Sequence, residues 1–98
     1  MKSVELHDAA NLELHESAIF IETARTGYGE RFLRTVENAF ERLALFPHIG
    51  VKTVHRSRMV KVPRFDYDII YRVERHRIYI IAIAHHGRSR NYWRSRLR

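Results

Sequence analysis

The sequence predicts an α+β fold in which two helices pack on one face of an antiparallel sheet. Apolar residues recur at helical spacing through the first half, whereas residues 67–74 alternate with a period of two and residues 78–84 are apolar throughout. The chain has 98 residues, 45% of them hydrophobic, which suits one domain with a single core. We therefore expect one domain over residues 1–98, containing a strand, an antiparallel helix hairpin and then a three-stranded antiparallel meander.

The first half of the chain predicts a short strand followed by two amphipathic helices. Residues 3–6 alternate as a strand does, and Asp8 is a suitable N-cap for a helix from residue 9 to about residue 25. A second helix is expected over residues 28–46, with Gly27 available for a left-handed C-terminal cap of the first. Because the connection between them is short, the two helices should form an antiparallel hairpin.

The first helix is more apolar than one packing contact requires. Leu12, Ile19 and Phe20 widen its apolar face beyond the stripe that a single contact would need. Two explanations are open at this point. The helix pair is tightly packed, or the extra residues form a docking surface for a partner.

The second half of the chain predicts strands followed by a basic tail. Three segments have the composition of strands: residues 53–62, 67–73 and 78–84. Pro63 ends the first of them, and the polar break at residues 74–77 is short enough for a hairpin. The unbroken apolar run of residues 78–84 predicts a central strand that is covered on both faces.

The charge of the chain is divided unevenly between its halves. Residues 1–50 contain five Lys/Arg and eight Asp/Glu, a net charge of −3, whereas residues 51–98 carry a net charge of +10. A basic sheet and tail suggest a polyanionic partner such as nucleic acid, the ribosome or an acidic protein. The alternative is a solvated basic face that keeps the protein soluble.

Composition and motifs exclude several classes of site. The chain has no cysteine, which excludes disulfides and thiolate metal sites, and its seven histidines show no metal-ligand spacing. It has no glycine-rich phosphate loop and no nucleophile motif, so we expect neither a metal nor a cofactor. No apolar run suits a signal peptide or a membrane span, which predicts a cytoplasmic protein with no membrane partner.

Metal-free RNA cleavage is the chemistry that the C-terminal residues could supply. It needs a base, an acid and a cation near the phosphate, and histidine titrates near neutrality. His85 or His86 could act as base or acid. Arg88, Arg72, Arg58 and Lys61 could stabilise charge. Tyr92 or Trp93 could stack on a base. The alternatives are ordinary hydrogen bonds for the histidines and a C-terminal turn that packs back on the sheet.

Seven basic or aromatic residues are candidates for binding a nucleic acid or another target. They lie on the predicted strands or in the tail: Arg56, Arg58, Lys61, Arg72, Arg90, Trp93 and Arg94. Since residues 85 and 86 are adjacent on a strand, their side chains should point to opposite faces of the sheet.

Several segments share their order and spacing with one known family. They are Phe46-Pro47-x-x-Gly50, Phe65-x-Tyr67-x-Ile69-Ile70-Tyr71-Arg72-Val73, Ala84-His85-His86 and Tyr92-Trp93-Arg94. In these segments the chain resembles the RelE/ParE toxins of bacterial type II toxin–antitoxin pairs, often labelled plasmid stabilisation proteins. The resemblance covers nearly the whole chain. It implies a growth-inhibiting toxin that is neutralised by a cognate antitoxin, a small acidic protein that folds on binding.

The resemblance implies two alternative targets. RelE-like members cut messenger RNA on the ribosome, and ParE-like members share the fold but poison DNA gyrase. Asp68 stands where the resemblance to the ribonucleases leads us to expect an arginine, and an acid there repels phosphate. From a different class, a basic RNA- or DNA-binding module without toxicity remains an alternative.

Overall fold

The structure, a computed structural model, describes residues 1–97 and has two long helices and five strands. In chain order these are β1 (Ser3–Leu6), α1 (Asp8–Ala24), α2 (Tyr28–Leu45), β2 (Val51–Lys52), β3 (Arg58–Lys61), β4 (Tyr67–Val73) and β5 (Arg77–His85). Two short 3₁₀ turns follow β2 and β5, at Val54–Arg56 and Tyr92–Leu97. The predicted α+β class is confirmed, and the elements follow the predicted order with one addition, the two-residue strand β2.

The two helices form the expected hairpin, with two corrections to the predicted caps. The N-cap of α1 is His7 and not Asp8, because the Nδ1 atom of His7 accepts a hydrogen bond from the N–H of Ala9 at 3.0 Å. Gly27 is left-handed, with a φ of 88°, but it is the N-cap of α2, whereas the C-cap of α1 is Arg25. At Gly29 a Cβ atom would lie 2.5 Å from a backbone oxygen of α1, so glycine allows the close approach of the helices.

The five strands form one mixed sheet in the order β1-β5-β4-β3-β2, so the prediction of an antiparallel sheet is wrong for β1. Strands β3, β4 and β5 are antiparallel neighbours, which confirms the meander. Strand β1 pairs in parallel with β5, from Ser3 opposite Arg77 to Leu6 opposite Ile80. This parallel pairing places β5 inside the sheet, in agreement with its apolar sequence.

The predicted strand over residues 53–62 is wrong in its first half. His55 and Arg56 have φ angles of 55° and 59°, which are left-handed and incompatible with a strand. The N–H of Thr53 donates to the carbonyl of Ser57 at 2.9 Å, and the buried hydroxyl of Ser57 donates to the carbonyl of Val54 at 2.6 Å. Residues 53–57 are therefore the turn of a hairpin that joins β2 to β3.

Strand β5 contains a bulge that shifts the alternation of its side chains between the two faces of the sheet. Ile80 lies opposite Tyr71 and Ala82 lies opposite Ile70, so Ile81 is one extra residue on β5. The bulge shifts the alternation by one position, and Ile83 rejoins Ile80 on the face that the helices cover. Ile81 and Ala82 belong to a second cluster on the opposite face. The prediction that both faces of this strand are covered is confirmed.

The C-terminal turn covers the sheet face that the helices leave open. Trp93 is 3% exposed and packs with Ile70, Ile81 and Ala82. This is the packing that the sequence left as the alternative to base stacking. Within residues 1–97, neither helix is long and apolar enough to cross a membrane.

The three residues that widen the apolar face of α1 do not pack within the chain. Leu12, Ile19 and Phe20 are 58%, 67% and 68% exposed. Tight packing between the helices is therefore the wrong explanation for them, and they form an exposed apolar patch on α1.

Candidate functional site

A groove of about 520 Å³ lies on the sheet face opposite the helices, beside the end of β5. It gathers six of the residues that the sequence singled out: His85, His86, Arg88, Arg90, Tyr92 and Trp93. Met59 and Ile70 form part of its floor, and Thr53 and Val54 belong to the turn before β3. We call this the tail groove. The fold thus brings the predicted catalytic residues to one place.

The two adjacent histidines have different surroundings. The ring of His85 packs edge-on against Tyr67 with centroids 5.0 Å apart, and its Nδ1 atom accepts from the N–H of Gly87 at 2.9 Å. The Nε2 atom of His86 lies 3.0 Å from the Oδ1 atom of Asp68. Of the two, His86 shares the groove with an acidic partner.

Asp68 lies in the tail groove, where a phosphate-binding site would need positive charge. Its carboxylate contacts His86, and its strand register places it directly opposite Lys61 on β3. Opposite charges facing each other across two strands attract, but within residues 1–97 Lys61 forms no ion pair with Asp68. The arrangement orients His86 by a carboxylate, which is also how catalytic histidines are held.

The hydroxyl of Tyr92 is engaged in a structural hydrogen bond. It donates to the Oε2 atom of Glu13 at 2.7 Å, and the guanidinium of Arg88 lies 3.8 Å from the centre of its ring. Burial raises the pKa of Tyr92, and the hydrogen bond to the Glu13 carboxylate raises it further. The hydroxyl therefore stays protonated near neutral pH and is bound to an acceptor.

Glu13 and Arg96 are the residues that sequence reasoning missed. The Nη1 and Nη2 atoms of Arg96 donate to the Glu13 carboxylate, at 2.9 and 2.8 Å. The N–H of Ile83 donates to the same carboxylate at 3.0 Å. Burial raises the pKa of Glu13, but the hydrogen bonds from Arg96, Tyr92 and Ile83 outweigh it, and the net pKa is lowered. The signal in the sequence that could have revealed Glu13 is its place on an apolar helix face, beside the buried Leu14.

Two of the predicted target-binding arginines hold the backbone of loops. The guanidinium of Arg58 donates to the carbonyls of His48 and Gly50 at 3.2 and 2.9 Å. The guanidinium of Arg72 donates twice to the carbonyl of His55, at 3.2 and 2.6 Å. Arg58 therefore holds the loop before β2, and Arg72 holds the turn between β2 and β3. Fewer of their N–H donors remain available to a ligand.

The other residues predicted to bind a target differ in their exposure. Arg56, Lys61, Arg90 and Arg94 are exposed. Arg94 and Arg72 line a neighbouring cleft of about 530 Å³. Trp93 is buried, so its ring has no free face for a base. Arg98, the last arginine of the tail, lies outside the described residues.

The tail groove can bind an anion, but its acid–base set is incomplete. Arg88 and Arg90 supply positive charge at its rim, while Asp68 supplies negative charge within it. The Tyr92 hydroxyl donates a hydrogen bond to Glu13, and His85 contacts Tyr67 and Gly87. His86 is the one histidine that both lines the groove and contacts a carboxylate in the described part of the chain.

Comparison with known proteins identifies a family over most of the chain. The family model described as ParE toxin of type II toxin-antitoxin system, parDE, matches residues 4–90. A chain from the solved structure "Chromosomal ParDE TA system from P. aeruginosa" aligns with a TM-score of 0.61 at 19% identity, covering 87% of this chain and 96% of that chain. This structural similarity shows a shared fold. No curated protein matches the sequence.

Proposed function

This chain belongs to the ParE toxin family of type II toxin–antitoxin systems, and from this membership we propose that it arrests growth by poisoning DNA gyrase and not by cutting messenger RNA. Its role as the toxin of such a pair follows from the family. The target, the antitoxin and a cytoplasmic location are our proposals.

The observation that supports this target is the state of the predicted catalytic residues. A nuclease of this kind needs a free acid, a free base and positive charge at the phosphate. The Tyr92 hydroxyl donates to Glu13, and Asp68 occupies the groove beside His86. Negative charge at that point opposes the charge that develops on a cleaved phosphate.

A second candidate function, cleavage of messenger RNA, keeps one observation in its favour. His86, Arg88 and Arg90 line the same groove, and Asp68 could orient His86 as a general base. The two targets therefore make opposite predictions for the first two of these side chains, His86 and Arg88. Under RNA cleavage they are essential, and under gyrase poisoning both can be removed without loss of toxicity.

Pulse induction in cells separates the two targets. We expect incorporation of labelled thymidine to fall first and cells to filament, while incorporation of labelled methionine continues. The double variant His86→Ala/Arg88→Ala should remain toxic. An early stop in translation that the double variant relieves would support RNA cleavage instead. Induction without growth arrest would favour the non-toxic nucleic-acid-binding module.

The cognate antitoxin that we propose is a small, acidic protein with an amphipathic segment that folds on binding. The exposed patch of Leu12, Ile19 and Phe20 offers apolar surface, and residues 51–98 offer a net charge of +10. Affinity for such a partner should fall as salt rises, because surface charges are screened. Titration calorimetry at low and high salt tests this, and an affinity that does not change with salt would contradict the electrostatic part.

A further inference from the structure

A second cleft of about 270 Å³ lies between the N-terminal half of α2 and the turn that joins β3 to β4. It is on the helix side of the sheet, whereas the tail groove is on the opposite side. Its wall contains Tyr28, Arg31, Arg34, Thr35, Arg64 and Phe65. None of these residues belongs to the predicted catalytic or target-binding set.

The cleft is positively charged. Arg31, Arg34 and Arg64 line it, and no acidic residue among the described ones does. Arg34 pairs with the neighbouring Glu30 at 2.6 Å. Within residues 1–97, Arg31 and Arg64 form no ion pair. Two guanidinium groups thus lack carboxylate partners at the same opening.

Tyr28 adds an aromatic wall and a further cation beside the cleft. The guanidinium of Arg31 lies 4.8 Å from the centre of the Tyr28 ring, and that of Arg25 lies 4.2 Å from it. Cation–π contact holds an arginine in place without using its N–H donors. Arg31 is therefore positioned at the cleft while its donors remain available to a ligand.

The turn that carries Arg64 is held firmly against α2. The ring of Phe65 packs edge-on against Phe32 with centroids 5.2 Å apart, and the N–H of Val62 donates to the carbonyl of Tyr67 at 2.9 Å. Arg64 itself has a φ of 72°, a left-handed conformation that is uncommon for a non-glycine residue. Such conformations persist where the surroundings fix them, and they are concentrated at ligand sites.

We propose that this cleft binds a phosphate group, carried by a nucleic acid backbone or by a free nucleotide. Guanidinium groups donate pairs of N–H bonds to phosphate oxygens, and a phosphate has enough oxygens to engage Arg31 and Arg64 together. The volume suits a phosphate and its attached sugar, and Tyr28 and Phe65 supply apolar walls beside them. The site is separate from the tail groove and does not depend on which target the toxin poisons.

The test is NMR titration of the purified, ¹⁵N-labelled full-length chain. The probes are inorganic phosphate, adenosine monophosphate and a short single-stranded DNA of mixed sequence, each against chloride at matched ionic strength. We expect saturable shifts of the amides of Thr35, Arg64 and Phe65. Shifts centred on residues 86–90, or no saturable shift, would overturn the proposal.

Variants with equal charge change provide the control. Arg31→Gln/Arg64→Gln should weaken phosphate binding by roughly tenfold or more, because two charge-assisted contacts are lost. Arg42→Gln/Arg75→Gln, which changes two exposed arginines outside the cleft, should leave it unchanged. Equal losses in both double variants would show general attraction to a basic surface and overturn the proposal.

The same titrations distinguish the source of the phosphate. Tighter binding of the oligonucleotide, with a salt dependence that decreases in Arg31→Gln/Arg64→Gln, indicates a nucleic acid backbone. Adenosine monophosphate that binds as tightly as the oligonucleotide indicates a free nucleotide. An acidic peptide that shifts these amides while all three phosphate probes fail would overturn the proposal in favour of a protein partner.

Discussion

The carboxylate of Glu13 on α1 and the guanidinium of Arg96 in the C-terminal turn form two hydrogen bonds across 83 positions of the chain. The pair lies where β1 has ended, opposite Ile80, so the edge of β5 beyond that point has no neighbouring strand. Glu13 accepts from the N–H of Ile83, and Arg96 donates to the carbonyl of Ile81 at 3.0 Å. An unpaired strand edge promotes association between chains. The Glu13–Arg96 pair covers this part of the β5 edge by hydrogen-bonding to its backbone.

Replacing Glu13 by glutamine should destabilise the fold. The side chains of Glu13 and Arg96 are 13% and 16% exposed, so the substitution leaves a largely buried guanidinium without its charged partner. We expect a loss of about 2–3 kcal/mol in the free energy of unfolding, somewhat below the effect for a fully buried pair. Urea unfolding followed by circular dichroism measures the loss.

Glu16→Gln is the matched control for this substitution. Glu16 is an exposed carboxylate one turn farther along α1, and a surface change of this kind should alter stability by less than about 0.5 kcal/mol. Equal effects at the two positions would show that the bonds to Arg96 contribute little.

The same carboxylate makes stability depend on acid pH. Burial raises the pKa of Glu13, yet its hydrogen bonds bring the net pKa below the ordinary value of 4.5. A pKa lower in the folded state gives stabilisation that is complete above the unfolded pKa and is lost as pH falls through the folded pKa. The difference between the wild type and Glu13→Gln should therefore be large near pH 7 and shrink below about pH 4. A difference that is constant over this range would contradict the assignment.

Removal of the tail should cost stability as well as any function. Deletion of residues 87–98 removes Trp93 and Arg96 and uncovers Ile70 and Ile81. Trp93→Ala alone should lower the free energy of unfolding by about 3–5 kcal/mol, the usual cost of deleting a buried aromatic side chain. Arg94→Ala, at an exposed position of the same turn, should change it little. Cooperative unfolding retained in full by the deletion variant would show that the second cluster is dispensable.

The hydroxyl of Tyr71 should contribute more to the free energy of unfolding than the hydroxyl of a tyrosine without internal hydrogen bonds. It donates to the carbonyl of Pro47 at 2.7 Å and accepts from the N–H of Gly50 at 2.9 Å. Tyr71→Phe leaves both backbone groups without this partner, and we expect a loss of about 1–3 kcal/mol. Tyr79→Phe is the control, because its hydroxyl makes no hydrogen bond within residues 1–97. Thermal and urea unfolding should rank the two variants in this order.

The tail groove shows how far sequence reasoning reaches for a site. The sequence placed His86, Arg88 and Arg90 after one central strand, and the structure gathers them in one groove. It did not reveal that Tyr92 is bound to Glu13, because that contact spans 79 positions. Whether a basic or aromatic residue is free for a ligand depends on partners that only the folded chain brings near.

The sequence by itself determined the elements that depend on local pattern. Helical spacing fixed α1 and α2, the period of two fixed β4, and the composition of residues 78–84 fixed a central strand. These patterns act over a few residues, where backbone geometry and side-chain direction are directly linked.

Tertiary structure decided the features that depend on distant contacts. The parallel pairing of β1 with β5, the bulge at Ile81 and the turn at residues 53–57 each follow from what the neighbouring elements allow. Apolar and polar residues do not alternate along β5, and the bulge fits this strand into a sheet whose two faces pack against different elements. The Glu13–Arg96 pair exists because β1 stops short of the end of β5, a fact that no local segment of the chain contains.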